Sequence, residues 1–234
     1  MKQKLVLKKS KGWLILIDFN DIDLYFVTDF KLSKNKIVSD VENALKAGCK
    51  IVQYREKNKN TKDMVKDAKR LKQLCNGKAI FIVNDRIDIA LAVDADGVHI
   101  GQEDIPFETA RILLGQNKII GLTVHNLKEA IEAEKLGADY IGLAPIFKTD
   151  TKEDARDPIG IKMIEIVRNN VNLPIVAVGG INKENVSDVI KAGADSVVSI
   201  YGTLNSNNVY NEICEFIKII KRCKLNDSIR KGKK

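Results

Sequence analysis

The strongest constraint on the fold is a repeated alternation of short apolar runs with amphipathic segments from Leu24 onward. The runs are rich in β-branched residues and mostly lack polar alternation, as expected of parallel strands buried on both faces. The predicted strands are Leu24–Thr28, Ile51–Tyr54, Ala79–Val83, Gly97–Ile100, Ile119–Leu122, Tyr140–Leu143, Ile175–Val178 and Ser196–Ile200. Such alternation is typical of a doubly wound sheet or a closed barrel. Eight units, without a glycine-rich nucleotide motif after the first run, favour an α/β fold with a single (β/α)8 TIM barrel.

Glycines mark the ends of several predicted helices. Val38–Ala47, Leu127–Leu136 and Val186–Ala192 are each followed by glycine, which commonly ends a helix in the left-handed conformation. We expect an N-terminal extension over residues 1–22, the barrel over residues 23–222 and a basic tail over residues 223–234. The apolar stretch 13–17 would form an extra strand or cover the N-terminal face of the barrel.

The basic charge of the chain lies at its two ends. Residues 1–12 carry five lysines and no acid, and residues 218–234 carry eight Lys or Arg against one Asp. Since the two ends together exceed the total net charge of +8, the rest of the chain is mildly acidic. We therefore expect solvated basic ends and no specific nucleic-acid partner.

The cysteines and the apolar segments favour a cytoplasmic protein. The four cysteines form no CxxC pair, so we expect reduced thiols rather than disulfides or zinc ligands. The apolar run 13–17 is too short for the core of a signal peptide. No stretch approaches the roughly 18 apolar residues of a membrane span, and we expect no membrane partner.

Polar residues gather where the predicted strands end. In a parallel barrel the C-terminal ends of the strands form one rim, and active sites lie there. Gln53, Arg55 and Lys57 alternate along the end of the second strand, so they should point to one side. Two cations and an amide facing one cavity suit a diphosphate. A surface salt-bridge patch is the alternative.

Two acids, Asp85 and Asp104, follow the ends of the neighbouring third and fourth strands. Carboxylate oxygens with open positions suit Mg²⁺ bound to a phosphate ester rather than zinc. Asp85 has an alternative role as a cap of the helix that follows it. We interpret His99 and His125 as structural residues at strand ends.

The seventh and sixth strands are followed by segments that could bind an anion. Gly179 and Gly180 precede Asn182, a candidate helix cap, and bare backbone N–H groups there can hold a phosphate. A tight turn also explains two glycines. The connection from Pro145 to Gly160 is long for a βα loop, and such loops are often lids. Its donors are Lys148, Thr149, Thr151 and Lys152.

Six motifs, in this order along the chain, resemble the thiamine-phosphate synthase family. They are Leu24-Tyr-Phe-Val-Thr-Asp29, Gln53-Tyr-Arg-Glu-Lys57, Val83-Asn-Asp-Arg86, Asp96-Gly-Val-His-Ile-Gly-Gln-Glu-Asp104, Ala144-Pro-Ile-Phe-Lys-Thr-Asp-Thr-Lys152 and Val178-Gly-Gly-Ile181. The resemblance runs from about Leu24 to Ile220. It implies a barrel enzyme, a transferase of thiamine biosynthesis, that uses Mg²⁺ to join a pyrimidine diphosphate to a thiazole phosphate.

The resemblance also implies a role for each matching residue. The pyrimidine diphosphate would contact Gln53, Tyr54, Arg55, Glu56, Lys57, Asn84, Thr123 and Lys152. Within that set, Arg55, Lys57, Thr123 and Lys152 would be catalytic. Asp85 and Asp104 would coordinate Mg²⁺. The thiazole phosphate would meet Thr149, Asp150, Thr151, Gly180, Ile200 and Tyr201.

The reaction implied by the resemblance is dissociative. Diphosphate leaves first, and the pyrimidine methylene becomes a cation that the ring amino group stabilises. The thiazole nitrogen then attacks. Preorganised cations and a metal neutralise a leaving diphosphate best in a site that is poor in water.

The chain departs from the family pattern at four positions. Thr123 and Tyr201 stand where Ser is usual, Ala144 where Gly is usual and Lys148 where Pro is usual. Tyr201 matters most, because it falls beside the expected thiazole phosphate.

Two alternatives are a thiazole tautomerase-like paralogue and a non-catalytic thiazole-phosphate binding protein. The retained set of Arg55, Lys57, Asp85, Asp104 and Lys152 favours the synthase. Neither alternative needs residues for a diphosphate and a metal. Assembly into a homo-oligomer stays open.

Overall fold

The structure, a computed structural model, describes residues 4–8, 14–149 and 156–231. Its central feature is a parallel sheet of eight strands in which each strand pairs with the next along the chain. The strands are β3 (Phe26–Val27), β4 (Ile51–Tyr54), β5 (Ile80–Asn84), β6 (Gly97–Ile100), β7 (Ile119–Val124), β8 (Tyr140–Leu143), β9 (Ile175–Val178) and β10 (Ser196–Val198). A parallel bridge from Leu24 to Val197 joins the two edges. The predicted (β/α)8 barrel is confirmed.

Helices follow the strands and cover the outside of the barrel. They are α1 (Ile37–Lys46), α2 (Thr61–Cys75), α3 (Ile87–Ala92), α4 (Phe107–Leu114), α5 (Leu127–Leu136), α6 (Ile161–Asn170), α7 (Val186–Lys191), α8 (Ile200–Leu204) and α9 (Val209–Lys231). Asn60 and Asn126 cap α2 and α5 by accepting hydrogen bonds from backbone N–H groups of the first turn. Gly137 ends α5 in the left-handed conformation with φ of 81°.

The core has two parts because each strand is apolar on both faces. Ile80 and Ile82 of β5 point into the barrel, whereas Phe81 and Val83 pack against the surrounding helices. Side chains that alternate in direction along a strand therefore fill both sides of the sheet. This arrangement explains why the runs carry so little polar alternation.

The N-terminal segment forms a small structure of its own. Strands β1 (Lys4–Lys8) and β2 (Leu14–Asp18) pair antiparallel in a separate two-stranded sheet. Of the two alternatives for the stretch 13–17, the structure shows the extra strand, which begins at residue 14. A short 3-10 helix, Phe19–Asp21, follows. Its buried Phe19 packs against Tyr140, with ring centroids 5.3 Å apart, inside the N-terminal end of the barrel.

Several predicted boundaries differ from the structure by one or two residues, and two further differences concern the last strand and the last helix. The last strand ends at Val198, and Ile200 begins α8 instead of extending the strand. The Thr203 hydroxyl donates to the Ser199 carbonyl at 2.6 Å, a contact that requires helical geometry over these residues. Helix α9 also continues through the expected barrel boundary at residue 222. No helix within the described ranges is long and apolar enough to span a membrane.

Candidate active site

A cavity of about 410 Å³ opens at the C-terminal rim of the barrel. Residues at the ends of successive strands line it, including Gln53, Asn84, His99 and Thr123. A cavity at this rim with a few convergent polar groups is the usual place for a small-molecule site in a parallel barrel. The rim therefore gathers the polar residues that the sequence predicts there.

Residues at the end of β4 form a cationic wall of the cavity. Gln53, Arg55 and Lys57 all line it, as their alternation predicts. Arg55 Nη1 lies 2.9 Å from Asp29 Oδ2. The other oxygen of Asp29 accepts hydrogen bonds from the backbone N–H groups of residues 31 and 32. Asp29 thus fixes the guanidinium, a role that sequence reasoning missed although the residue ends the first motif.

The alternate residues of the same motif lie elsewhere. Tyr54 and Glu56 are buried and do not line the cavity. Tyr54 packs in the core between the sheet and the helices, and Glu56 Oε1 accepts a hydrogen bond from the Asn58 N–H at 2.8 Å. Strand alternation turns their side chains away from the cavity, so their predicted contact with the substrate stays a prediction.

The two predicted metal ligands meet at the rim. Asp85 and Asp104 both line the cavity, and their carboxylates are close enough to interact directly. Lys57 Nζ lies 2.5 Å from Asp85 Oδ2. Burial raises the pKa of the Asp85 carboxyl above its usual range, Lys57 opposes that rise, and Asp104 adds to it.

Asp85 does not cap the following helix. Arg86 is the N-cap residue of α3, without a side-chain cap hydrogen bond, and Asp85 adopts a φ of 59°. A non-glycine residue at such a φ is uncommon and is often found at functional sites. The conformation turns the carboxylate toward Lys57 and Asp104, so the capping alternative is wrong.

The donor set at this place fits a hard divalent cation that retains water. Within the described part of the chain, no three His, Cys, Asp or Glu side chains form a cluster that could enclose a metal. Mg²⁺ is usually held by one or two carboxylates, with phosphate and water oxygens completing its shell. Asp85 and Asp104 are the two carboxylates that such a site needs. Because the two carboxylates repel each other, a cation between them would be stabilising.

The floor of the cavity is a chain of side-chain hydrogen bonds. Gln53 Nε2 donates to the Tyr25 hydroxyl at 2.9 Å, and the hydroxyls of Tyr25 and Tyr140 lie 2.8 Å apart. His99 bridges Tyr140 Oη (Nδ1, 2.9 Å) and Thr123 Oγ1 (Nε2, 2.8 Å). Burial raises the pKa of both tyrosines, so both stay neutral. Sequence reasoning missed these tyrosines, because Tyr within a buried strand resembles ordinary core.

His99 and His125 fit their structural interpretation but also line the cavity. His125 Nδ1 lies 2.6 Å from the Ala144 carbonyl oxygen. A carbonyl oxygen only accepts, so His125 carries its proton on Nδ1. The two imidazoles therefore have separate hydrogen-bond partners at adjacent strand ends.

The glycine pair after β9 forms another part of the cavity lining. Gly180 lines the cavity and has a φ of 61°. A Cβ at Gly180 would lie 2.4 Å from the Lys148 carbonyl oxygen, so only glycine fits this close approach. Asn182 does not cap α7, whose N-cap is Asn185. Instead its side chain accepts hydrogen bonds from the N–H groups of Glu184 and Asn185 and shapes the turn before the helix.

Some of the other predicted site residues line the cavity, and others lie outside the described residues. Asn84, Thr149, Ile200 and Tyr201 line the cavity, and the side chain of Tyr201 is 61% exposed. Asp150, Thr151 and Lys152 lie outside the described residues. Arg156, which sequence reasoning missed, lines the cavity and pairs with Glu103 at 3.3 Å.

The fold and site together are those of a barrel enzyme that acts on small molecules. Cations, paired carboxylates and a glycine turn together line the cavity. A family model described as thiamine monophosphate synthase matches residues 24–202. The chain belongs to this family, and it is a transferase of thiamine biosynthesis.

Individual relatives agree with the family. The thiamine-phosphate synthase of Methanosarcina barkeri is 56% identical over 222 residues, which cover 95% of this chain and 98% of that protein. The thiamine-phosphate synthase of Methanosarcina mazei is 59% identical over 87% of this chain and 85% of that protein. A solved thiamine phosphate pyrophosphorylase from Pyrococcus furiosus is 40% identical and superposes with a TM-score of 0.81, covering 88% of this chain and 98% of that one.

Proposed function

We propose that the chain condenses 4-amino-2-methyl-5-(diphosphooxymethyl)pyrimidine with 4-methyl-5-(2-phosphooxyethyl)thiazole, giving thiamine phosphate and diphosphate. One observation carries the proposal: Arg55, Lys57, Asp85 and Asp104 converge on one wall of a single cavity. Such a set suits a leaving diphosphate. The thiazole phosphate would then lie toward Gly180 and Tyr201, across the same cavity.

The proposed role of the cationic wall is to neutralise charge as diphosphate departs. Arg55 is oriented by Asp29, and Lys57 by Asp85, so neither cation needs to reorganise during the reaction. Donors that are preorganised toward developing charge accelerate a reaction more than donors that bind the ground state equally well. We assign Lys152, from the family pattern, to the same leaving group.

We infer that Asp85 and Asp104 hold Mg²⁺. When bound there, the ion would supply Lewis-acid neutralisation of diphosphate oxygens. The two carboxylates would orient it, and Lys57 would hold Asp85 in its ionised form. Their arrangement supports this role, because two neighbouring carboxylates beside a single ammonium leave negative charge for a second cation.

The pyrimidine ring needs binding and orientation rather than an acid and a base. Its amino group stabilises the methylene cation by donating electron density through the ring. Gln53 and Thr123 stand on the cavity floor, where they would hold the ring in place. Residues of the connection between β8 and α6 would limit the access of water, which could otherwise trap the cation.

The proposal is tested by supplying both substrates with Mg²⁺ and measuring thiamine phosphate together with released diphosphate. We expect the two products in equal amounts, and neither product when one substrate is omitted. A thiazole tautomerase would form neither from this mixture, and a binding protein would shift only the thermal melting curve. Diphosphate release without thiamine phosphate would contradict the condensation.

A further inference from the structure

The hydrogen bonds on the cavity floor form one continuous chain from Gln53 to Thr123. Gln53 Nε2 donates to the Tyr25 hydroxyl, and the Tyr25 and Tyr140 hydroxyls lie 2.8 Å apart, where either can donate. With Tyr25 as the donor in that bond, Tyr140 donates to His99 Nδ1. His99 is then neutral with its proton on Nε2, which donates to Thr123 Oγ1. The hydroxyl proton of Thr123 is left for the cavity.

We propose that Tyr25, Tyr140 and His99 are positioning residues that fix the hydrogen-bond polarity of the cavity floor. They commit the Gln53 amide nitrogen to the protein, so that its carbonyl oxygen serves as the acceptor toward a ligand. They also make the Thr123 hydroxyl a donor. The two ends are coupled, because turning the Gln53 carbonyl oxygen toward Tyr25 would reverse every bond between them.

The interior of the barrel leaves space for the side chains of this hydrogen-bond chain. Gly121 is the strand neighbour of both His99 and Tyr140, and a Cβ there would lie 2.1 Å from Tyr140 Cζ. A Cβ at Gly142 would lie 2.9 Å from His99 Cε1. The two rings stack, with their centroids 5.4 Å apart. Two glycines on neighbouring strands thus leave the space that the rings occupy.

This hydrogen-bond polarity favours a ligand with a hydrogen-bond donor near Gln53 and a hydrogen-bond acceptor near Thr123. Resting on the proposed function, we assign the donor to the amino group of the pyrimidine. The acceptor is a ring nitrogen or a diphosphate oxygen. A 4-oxo pyrimidine would place a carbonyl against the Gln53 carbonyl and should bind poorly, since a site with fixed hydrogen-bond partners rejects a mismatched ligand strongly.

The histidine tautomers test the proposal without any assay of activity. The chain has only two histidines, His99 and His125, so ¹⁵N NMR of the ring nitrogens is readily assigned with a His125→Gln variant. We expect His99 protonated on Nε2 and His125 protonated on Nδ1 in the ligand-free protein at neutral pH. Protonation of His99 on Nδ1, or an imidazolium ring, would overturn the proposal.

Removing a hydrogen bond at the centre of the hydrogen-bond chain extends the test. Tyr140→Phe removes the donor to His99 Nδ1, so the Nδ1-protonated tautomer of His99 should become populated. Tyr54→Phe is the matched control, because the buried Tyr54 hydroxyl has no hydrogen-bond partner among the described residues and lies outside the chain of bonds. Its spectrum should equal that of the parent. An unchanged His99 tautomer in Tyr140→Phe would contradict the coupling.

Kinetics separate positioning from a general loss of structure. In Tyr25→Phe and Tyr140→Phe we expect the KM for the pyrimidine diphosphate to rise about tenfold, the usual effect of an unsatisfied buried partner. The KM for the thiazole phosphate should stay constant. Tyr210→Phe, on α9 away from the cavity, serves as the kinetic control. Equal changes in both KM values would overturn the proposal, whereas a parent protein without synthase activity would refute only the proposed function.

Discussion

Lys57 Nζ and Asp85 Oδ2 lie 2.5 Å apart at the rim of the barrel, although 28 residues separate them in the chain. They come from the ends of neighbouring strands β4 and β5, whose parallel register brings their C-terminal ends together. The ammonium opposes the raised pKa of a buried carboxyl that also faces Asp104. This pair therefore links the cationic wall to the proposed metal site.

Replacing the cation of this pair should mainly slow the reaction. We expect Lys57→Met to lower kcat about 10²–10³-fold, the usual loss for one preorganised donor to developing charge. Steady-state kinetics with saturating substrates measures the effect. Lys59→Met is the control, because Lys59 pairs with Asp67 and does not line the cavity. A kcat within about threefold of the parent in Lys57→Met would place Lys57 outside the transition-state contacts.

The raised pKa of Asp85 predicts a pH-dependent effect of Mg²⁺ on stability. A carboxyl with a pKa that is higher in the folded protein stabilises the fold at low pH and loses that contribution as pH rises through the folded pKa. Mg²⁺ needs the ionised form, so it should raise Tm more at neutral pH than in acid. Melting curves with and without Mg²⁺ check this.

The matched variant is Asp85→Asn, which removes the ionisable group and keeps the shape. It should raise the Tm of the metal-free protein at neutral pH, because a carboxyl whose pKa is raised by folding destabilises the fold in its ionised form. Its Tm should no longer respond to Mg²⁺. A response equal to that of the parent would place the ion elsewhere.

Gly121 should be sensitive to the smallest possible substitution. Gly121→Ala would bring its methyl group against the Tyr140 ring, and overpacking of this kind typically destabilises by about 1–3 kcal/mol. Urea unfolding gives the free energy of unfolding. Since Tyr140 is the obstacle, Gly121→Ala should cost less in a Tyr140→Ala background. Additive effects of the two changes would contradict a direct contact.

Tyr201 tests how the thiazole phosphate is held. Its exposed side chain lines the cavity where the family usually has Ser. If backbone N–H groups hold the phosphate, Tyr201→Ser should change the KM for the thiazole phosphate by less than about threefold. Tyr210→Ser is the surface control. A large gain in affinity would show that the tyrosine obstructs the site and would favour a different second substrate.

The sequence predicts much of the cationic wall because the positions of its residues depend on local rules. Gln53, Arg55 and Lys57 share one side of the chain end since side chains alternate in extended backbone. The same rule turns the side chains of Tyr54 and Glu56 away from the cavity.

Other features depend on contacts between distant segments, which spacing does not reveal. Arg55 and Asp29 meet across the β3–β4 pair. The hydroxyls of Tyr25 and Tyr140, 115 positions apart, bond inside the barrel. Periodicity alone also cannot distinguish a short apolar strand from the start of a helix, which explains the misplaced end of the last strand at Ile200.

We propose that Asp85 and Asp104 act together on a metal-assisted release of diphosphate. The most direct measurement is the rate of thiamine phosphate formation as a function of Mg²⁺ concentration. It is made with the parent, Asp85→Asn and Asp104→Asn proteins, and EDTA provides the metal-free condition. We predict no turnover in EDTA, and a higher Mg²⁺ requirement in both variants with little change in the KM for the thiazole phosphate. Full activity of the parent protein in EDTA, or variants with the parent's Mg²⁺ dependence, would contradict the account.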